Sequence, residues 1–265
     1  MHGIQAMRHK LQQVGMKTRT AMAVAMTLGT GVAATLTGCS TLATSPAVQR
    51  PQLGAAQRTQ QLTGVYETIR DDQVLPGGLK NQGSPEDIVL RHPDRPVPKQ
   101  DASGNPILDP MDLCQAVGPL RMMAQPRLKI ELVPAPGRIV MLFQDISHGD
   151  LRDLYEDRGH PANYKPQYAF QGDSVVHWDG GTLVVDTIGF NDRTWINKYA
   201  LASTQLHLVE KIRPIDGGKY LEYRVWADDP EVMKQPYTYV RYLERTDREI
   251  QEDVCQIHSN WNPLD

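Results

Sequence analysis

"QLHLVEKIRPIDGGKYLEYRVWADD", Gln205 to Asp229, sets two runs of alternating residues about a glycine pair. Gly217-Gly218 suits a two-residue hairpin turn, because both central positions of such a turn need positive φ. That turn pairs residues whose numbers sum to 435. Arg213 then faces Glu222 as an opposite-charge pair, Val209 faces Trp226, and His207 falls opposite Asp228. Lys211 facing Arg224 is a like-charged pair and counts against this register. On the other face lie Leu206, Leu208, Glu210 and Ile212, with Leu221, Tyr223 and Val225 from the partner strand. One carboxylate interrupts an otherwise apolar face. Buried, it must pair, hydrogen-bond or hold a proton. Glu210 is therefore either an acid or base with a perturbed pKa, or a structural group neutralised by a buried arginine.

The same alternation extends in both directions. "LKIELV", "RIVMLF", "SVVHW", "TLVVDTI", "QLHLVEKI", "KYLEYRVW", "YTYVRYL" and "EIQEDV", between Leu128 and Val254, are short runs rich in β-branched and aromatic residues. Gly64 to Ile69 reads as a further short strand or helix turn. Short connections favour antiparallel neighbours, and the absence of a long helical period favours a sheet that curls or closes. The expected fold is mainly β, an antiparallel curled sheet or lipocalin-like β-barrel with long irregular N-terminal loops; an open sandwich is the alternative. Pro76 to Pro110, dense in Pro, Gly, Asn and Asp, reads as a loop over one end of the fold.

Upstream the composition changes. The first 38 residues carry Arg8, Lys10, Lys17 and Arg19 and no acidic residue, followed by the apolar run Ala21 to Leu36. The run is shorter than the ~20 residues that span a bilayer, and the order is that of a secretory leader. Leu36-Thr37-Gly38-Cys39 resembles the lipobox of bacterial lipoproteins, which implies cleavage before Cys39 and lipidation of its thiol. Ser40 after the cysteine implies the outer membrane, on its periplasmic side, by the same resemblance. Met16 offers a second start with a more compact leader, and either start yields the same mature chain. The expected organisation is a signal peptide at 1–38, a flexible tether at 39–61 and one β domain at 62–265. Without the leader, 24 basic residues stand against 31 acidic ones, a formal charge of −7. Such a balance gives no electrostatic footprint for nucleic acid. Cys114 and Cys255 are then an even pair in an oxidising compartment. A disulfide between them closes a loop of roughly 140 residues and adds at most about 4–5 kcal/mol by chain entropy; two buried thiols are the alternative.

Chemistry-bearing residues concentrate in two stretches. "DISHGDLRDLYEDRGHPANYKP", Asp145 to Pro166, holds His148, Asp150, Arg152, Asp157, Arg158 and His160, and reads as a charged loop on the rim. Pro161 keeps His160 extended. Arg152 and Arg158 suit a carboxylate or phenolate, and no histidine spacing matches a standard zinc signature. In "SVVHWDGGTLVVDTIGFNDRTW", Ser174 to Trp195, Asp179-Gly180-Gly181 supplies a turn and alternation puts Asp186 on one face with Val184 and Ile188. Asn191, Asp192, Arg193 and Trp195 then read either as a binding rim or as turn-formers.

This second stretch is similar to a motif of a group of exported bacterial proteins, Gly-x-Ser-x-Gly-x-Trp-Glu-Gly-Asp-Thr-Leu-Val-Val-Asp-Thr-x-Gly-Phe-Asn. The matching residues are Gly172, Ser174, Trp178, Gly180, Thr182 to Thr187 and Gly189 to Asn191; Val176, His177, Asp179 and Gly181 depart from it. "LHLVEKIRPID" resembles that group's Leu-His-x-x-Glu-Arg-x-Arg element, and "DRGHP" is a degenerate form of its Asp-Gly-Arg-x-His-Pro. The resemblance runs roughly from Cys114 to Cys255, implies no assured activity, and places His160, Asp186, His207 and Glu210 in recurring motifs.

No P-loop, dinucleotide fingerprint, Gly-x-Ser-x-Gly elbow or paired Cys-x-x-Cys occurs in the mature chain, so no cofactor or metal is expected. Two functions fit. One is a cofactor-independent acid–base enzyme (lyase, isomerase or hydrolase) acting on a small apolar or aromatic compound. Glu210 or His160 would move the proton, Asp186 would orient the partner, and Arg152 or Arg158 would stabilise negative charge, with His207 a further catalytic candidate. Trp178, Asn191, Trp195 and Tyr223 would contact the substrate. The other is a lipid-anchored carrier that binds an apolar ligand without turnover; a weaker third is an envelope-assembly protein. An enzyme needs two titratable groups converging on one ligand atom at the bottom of a cavity, whereas a carrier does not.

Overall fold

A computed structural model describes residues 54–94, 97, 110–111, 115–144, 151–164 and 169–251. The leader, Cys39, Cys114, Cys255, His148 and Asp150 lie outside the described residues, and the tether is described only from Gly54.

Nine strands close a barrel in the order β1-β11-β10-β9-β6-β5-β4-β3-β2. They are β1 (Gly64–Thr68), β2 (Lys129–Ala135), β3 (Arg138–Gln144), β4 (Leu151–Tyr155), β5 (Asp173–Asp179), β6 (Thr182–Ile188), β9 (His207–Ile215), β10 (Tyr220–Asp228) and β11 (Tyr237–Thr246). The ring closes because β1 pairs with both β2 and β11. The fold is thus mainly β and closed, rather than an open sandwich. A separate two-stranded hairpin, β7 (Trp195–Asn197) and β8 (Ala200–Leu201), packs on the single-turn helix α2 (Pro119–Met122).

The hairpin register holds as read. Tyr220 pairs with Ile215, Glu222 with Arg213, Trp226 with Val209 and Asp228 with His207. Gly217 (φ 67°, ψ 17°) and Gly218 (φ 89°) both take positive φ, the geometry of a type I′ turn. Lys211 and Arg224 do face each other, but both are exposed, so water screens the repulsion.

Four expectations need correction. "LRDLY", read as part of a rim loop, is strand β4, with Arg152 and Leu154 pointing inward. The final run "EIQEDV" forms no strand where it is described, Glu249 to Gln251: β1 already holds both its neighbours, so the closed ring leaves no edge to pair with. The end of the expected tether is helix α1 (Ala55–Leu62), where Gln57 Oε1 accepts the Gly54 amide and Leu62 is buried. The described part of the Pro76 to Pro110 loop runs along the outer wall before it reaches an end. There Leu79 packs on a satellite core of Ile69, Leu75, Tyr220, Val240 and Tyr242, and Gln82 bridges to Val240.

One step around the barrel is parallel. β4 and β5 run the same way and share only Leu154–Ser174 and Tyr155–Val175, so the chain crosses back between them, and of its described residues Arg158 and His160 meet Asp173 and Asp186. The two ends of the barrel differ. At one end, here the base, Tyr239 Oη donates to the carbonyl of Leu120 (2.7 Å), and α2 with the β7–β8 hairpin fills the opening. At the other end, the mouth, β5 finishes and α1 lies across the rim. Between them the lumen is packed with side chains, among them Tyr66, Phe143, Arg152 and Tyr223.

Candidate functional site

Glu210 points into the lumen and is fully buried. It meets Arg152, which reaches across from β4. Arg152 Nη1 donates to Glu210 Oε1 (3.0 Å) and Nη2 to Oε2 (2.7 Å), a bidentate pair with both side chains 1 % exposed. Nη2 also lies 3.0 Å from Ser174 Oγ and 3.1 Å from Thr187 Oγ1, two inward hydroxyls on β5 and β6. Tyr223 Oη donates to Glu210 Oε1 (2.5 Å). Burial opposes the Arg152 charge, but the charge and hydrogen bonds of Glu210 outweigh it and raise the guanidinium above its ordinary value. Burial first, and then the Glu210 charge, push the Tyr223 phenol well above its ordinary value, so it stays a donor. Both Glu210 oxygens are thus engaged by a fixed cation and a fixed donor. This is the neutralised structural state rather than that of a general base, and Arg152 is its partner rather than a clamp on the rim.

A second polar group forms on the outside of the same wall. Asp186 shares its face with Val184 and Ile188 as read, but that face is the outer one; Leu183, Val185 and Thr187 point inward. The crossover delivers Arg158 and His160 to this face. Arg158 Nη2 and Nη1 reach Asp173 Oδ1 and Oδ2 (2.5 and 3.2 Å), and the guanidinium lies 3.8 Å from the Tyr155 ring centroid. His160 bridges two strands, with Nδ1 2.8 Å from Asp173 Oδ2 and Nε2 3.0 Å from Asp186 Oδ1. Asp186 also receives His207 Nε2 at 3.2 Å, and the His207 ring packs edge-on to Trp226, 5.5 Å between centroids. The order Arg158–Asp173–His160–Asp186–His207 fastens the crossover to the barrel. Asp186 and His207 are 35 % and 38 % exposed, and His207 Nδ1 has no hydrogen bond among the described residues. Their open arrangement admits acid–base chemistry at the surface.

Asp173 is buried. Burial raises its carboxyl, but the hydrogen bonds and charges of Arg158 and His160 outweigh that and hold it below the usual value. A carboxyl depressed in the folded state adds stability above its unfolded pKa and loses it as the pH falls through the folded one. The loss should begin near about pH 4, the unfolded value, and deepen below it. Asp173→Asn is therefore expected to flatten the acid limb of stability. Urea midpoints measured from about pH 5 downward check this; parallel curves for the two proteins would show that Arg158 and His160 do not act through this carboxyl.

The mouth holds a hollow of about 700 Å³ under α1. Val176 and Trp178 sit opposite Val185 and Leu183, so they share the inward face of β5 with Ser174. With Ala55, Ala56, Pro134 and Ala135 they form the apolar part of its wall; Thr59, Gln60, Arg138, Glu156, Asp157 and His177 line the rest with Arg58. Arg58 of α1 lies over the Trp178 ring, 5.3 Å from its centroid. Among the described residues, neither Arg58 Nε nor Trp178 Nε1 has a hydrogen-bond partner, although both atoms are buried. A second hollow of about 540 Å³ on the outer wall is lined by Arg70, Arg127, Arg245 and Arg248. Three of these are already engaged: Arg70 with Asp72, Arg248 with Glu67, and Arg245 with the carbonyls of Gln61, Thr63 and Gly218.

No protein-family model matches the chain, and no curated protein matches it in sequence. Among solved structures it is similar to a secretory abundant heat soluble (SAHS) protein from Ramazzottius varieornatus, with TM-score 0.37 and 9 % identity over 70 % of this chain and 96 % of that one. It is also similar to a variant of the fluorescent protein UnaG, with TM-score 0.33 and 8 % identity over 71 % and 99 % of the two chains. Both scores are low, and the strand pairings alone carry the barrel assignment.

The candidate residues therefore separate into three places. His160, Asp186 and His207 converge outside with Arg158; Glu210, Arg152 and Tyr223 converge inside; Trp178 lines the mouth. The expected aromatic rim does not form as read. Asn191 is buried, and its Oδ1 accepts from the Arg193 amide and the Thr194 hydroxyl, the bonding of a turn-former. Trp195 packs under Arg121 in the base, 5.6 Å from guanidinium carbon to ring centroid. Sequence reasoning missed Asp173, Ser174 and Thr187, although Ser174 and Thr187 stand in the quoted motif. It also missed Arg58, which lay in a stretch read as tether. Among the described residues no three His, Cys, Asp or Glu side chains converge as a metal-ligand set.

Proposed function

We propose that this chain is an exported, lipid-anchored barrel protein that binds a small, mainly apolar molecule at its mouth and carries it without turnover. The observation that carries the reading is the mouth itself. A hollow of about 700 Å³, within the range of small-molecule sites, has an apolar stretch of wall and two donors unmet among the described residues. In the lumen, both oxygens of Glu210 are already engaged by Arg152 and Tyr223. The leader and the Leu36–Cys39 sequence support attachment through Cys39 on the periplasmic side of the outer membrane, and the Cys114–Cys255 pair supports a disulfide there.

A second reading rests on a separate observation. His207, oriented by Asp186 and open at Nδ1, has the layout of a carboxylate-assisted base, with His160 holding the carboxylate. It supports cofactor-independent lyase, isomerase or hydrolase chemistry on an aromatic or apolar compound at the outer face, where Trp226 provides a platform.

One experiment separates the two. The full chain is purified from cell envelopes beside Val176→Arg and His207→Asn, and bound small molecules are identified by mass spectrometry before and after incubation with extract. The carrier reading expects a compound that co-purifies unchanged and is missing from Val176→Arg alone. Conversion of a compound by the wild type but not by His207→Asn overturns it in favour of the enzyme. Absence of any compound from the wild type also overturns it.

A further inference from the structure

The two unmet donors in the mouth identify the chemistry of the guest more closely than the hollow's size does. Among the described residues, buried side-chain donors without an acceptor are few, and two of them, Arg58 Nε and Trp178 Nε1, belong to side chains stacked on each other in the same hollow. Leaving such groups dry and unbonded is costly, and a native structure keeps them where something else completes them. One donor belongs to a permanent cation and the other to a neutral indole, so the complementary group is an anionic acceptor with more than one oxygen.

The surroundings narrow the choice. Arg138, also at the mouth, is held by Asp153 (3.2 Å), which leaves Arg58 as the cation of the hollow without a carboxylate partner among the described residues. Glu156, half-buried, and Asp157, exposed, also line the hollow; water screens the repulsion of an incoming anion at Asp157, and Glu156 opposes it. Part of the wall is apolar, and the Trp178 ring offers a flat face. Phosphate and sulfate monoesters carry more charge or a bulkier head than a single guanidinium facing an indole N–H would complement. A carboxylate matches both in number of oxygens and in charge.

We propose that the mouth takes a flat, mainly apolar carboxylic acid in its anionic form. One oxygen accepts from Arg58 Nε and the other from Trp178 Nε1, while the hydrophobic body lies along Val176, Pro134 and Ala135. This rests on the carrier reading. Because the donors are covered by the stacking of Arg58 on Trp178, the guest slides between α1 and the end of β5, and α1 acts as the flap it lifts. Arg58 then trades its cation–π contact for a charge-assisted hydrogen bond, the stronger of the two.

Calorimetric titration of the full chain with 2-naphthoate, methyl 2-naphthoate and 2-methylnaphthalene tests this. These probes share one ring system and lose first the charge and then the acceptors. The acid is expected to bind about tenfold or more tightly than the hydrocarbon, with the ester between them. Arg58→Met should bring the acid's affinity down to that of the hydrocarbon measured on the same variant, and Trp178→Phe, which keeps an aromatic ring and removes one donor, should lower the preference part-way. Equal affinity for acid and hydrocarbon overturns the carboxylate assignment and leaves the carrier reading standing. A preference that survives Arg58→Met overturns the assignment to these donors. Failure of all three probes to bind overturns both.

Discussion

Replacement of Arg152 by methionine is expected to cost the barrel about 3–5 kcal/mol, the penalty for stranding a buried charge. The substitution leaves Glu210 in the lumen with Tyr223 as its remaining donor, and removes a cation that also orders Ser174 and Thr187. Glu210→Gln should do similar damage from the opposite side, because guanidinium is not deprotonated in proteins and would stay charged and half-bonded. The double variant Arg152→Met with Glu210→Met separates the two terms. Replacing both members with apolar side chains abolishes the stranded charge, so it should recover most of the loss. Urea unfolding at neutral pH reads this directly, as shifts in midpoint at unchanged slope. A loss below about 1 kcal/mol for Arg152→Met would mean that water reaches the pair and that the lumen is open there.

Gly172→Ala is expected to be nearly as damaging, about 2–5 kcal/mol from backbone strain and overpacking together. Gly172 has φ +66°, and a Cβ there would lie 2.8 Å from the carbonyl oxygen of Ile188, 2.8 Å from Thr187 Cγ2 and 3.0 Å from the Phe190 ring. A carbonyl oxygen in the strand cannot step aside as a flexible side chain would. The close approach is what seats the start of β5 against the end of β6, so that Ser174 meets Thr187 inside and Asp173 takes its place beside His160 outside. Gly180→Ala is the control. Its φ is +58°, but nothing lies within 4 Å of the added carbon, so it should show the backbone term alone, about 1–2 kcal/mol. Equal losses at the two glycines would show that the crowding at Gly172 relaxes away.

How far the molecule could be read in advance differs by element. The β9–β10 register was legible to the residue, because a glycine pair fixes the turn and only one face has the apolar set. The inward position of Glu210 followed from the same alternation. Its partner did not: Arg152 lies 58 residues earlier in a five-residue strand whose charges hide its period, and the contact crosses the lumen. The parallel step from β4 to β5 was hidden for a related reason, since a loop of mixed charge says nothing about the direction in which the chain returns. Helix α1 lacks an apolar stripe, as it buries only Thr59 and Leu62, so its composition reads as tether. Alternation did place Asp186 on the correct face, but which face is outside depends on the curvature of the closed sheet. That is a property of the ring rather than of any strand.

The short parallel contact between β4 and β5 gives the barrel a seam. Eight of the nine junctions are laced by antiparallel ladders of four or more residue pairs, whereas this one has two. Free energy of local opening follows the bonds that must break, so the wall parts here at the least cost and here its amides should exchange with solvent first. Val176 and Glu156, just beyond the last laced residues, already border the mouth. On the carrier reading proposed above, a cargo wider than the rim would enter from the side by unzipping the wall lengthwise, against the hold of His160 on Asp173 and Asp186.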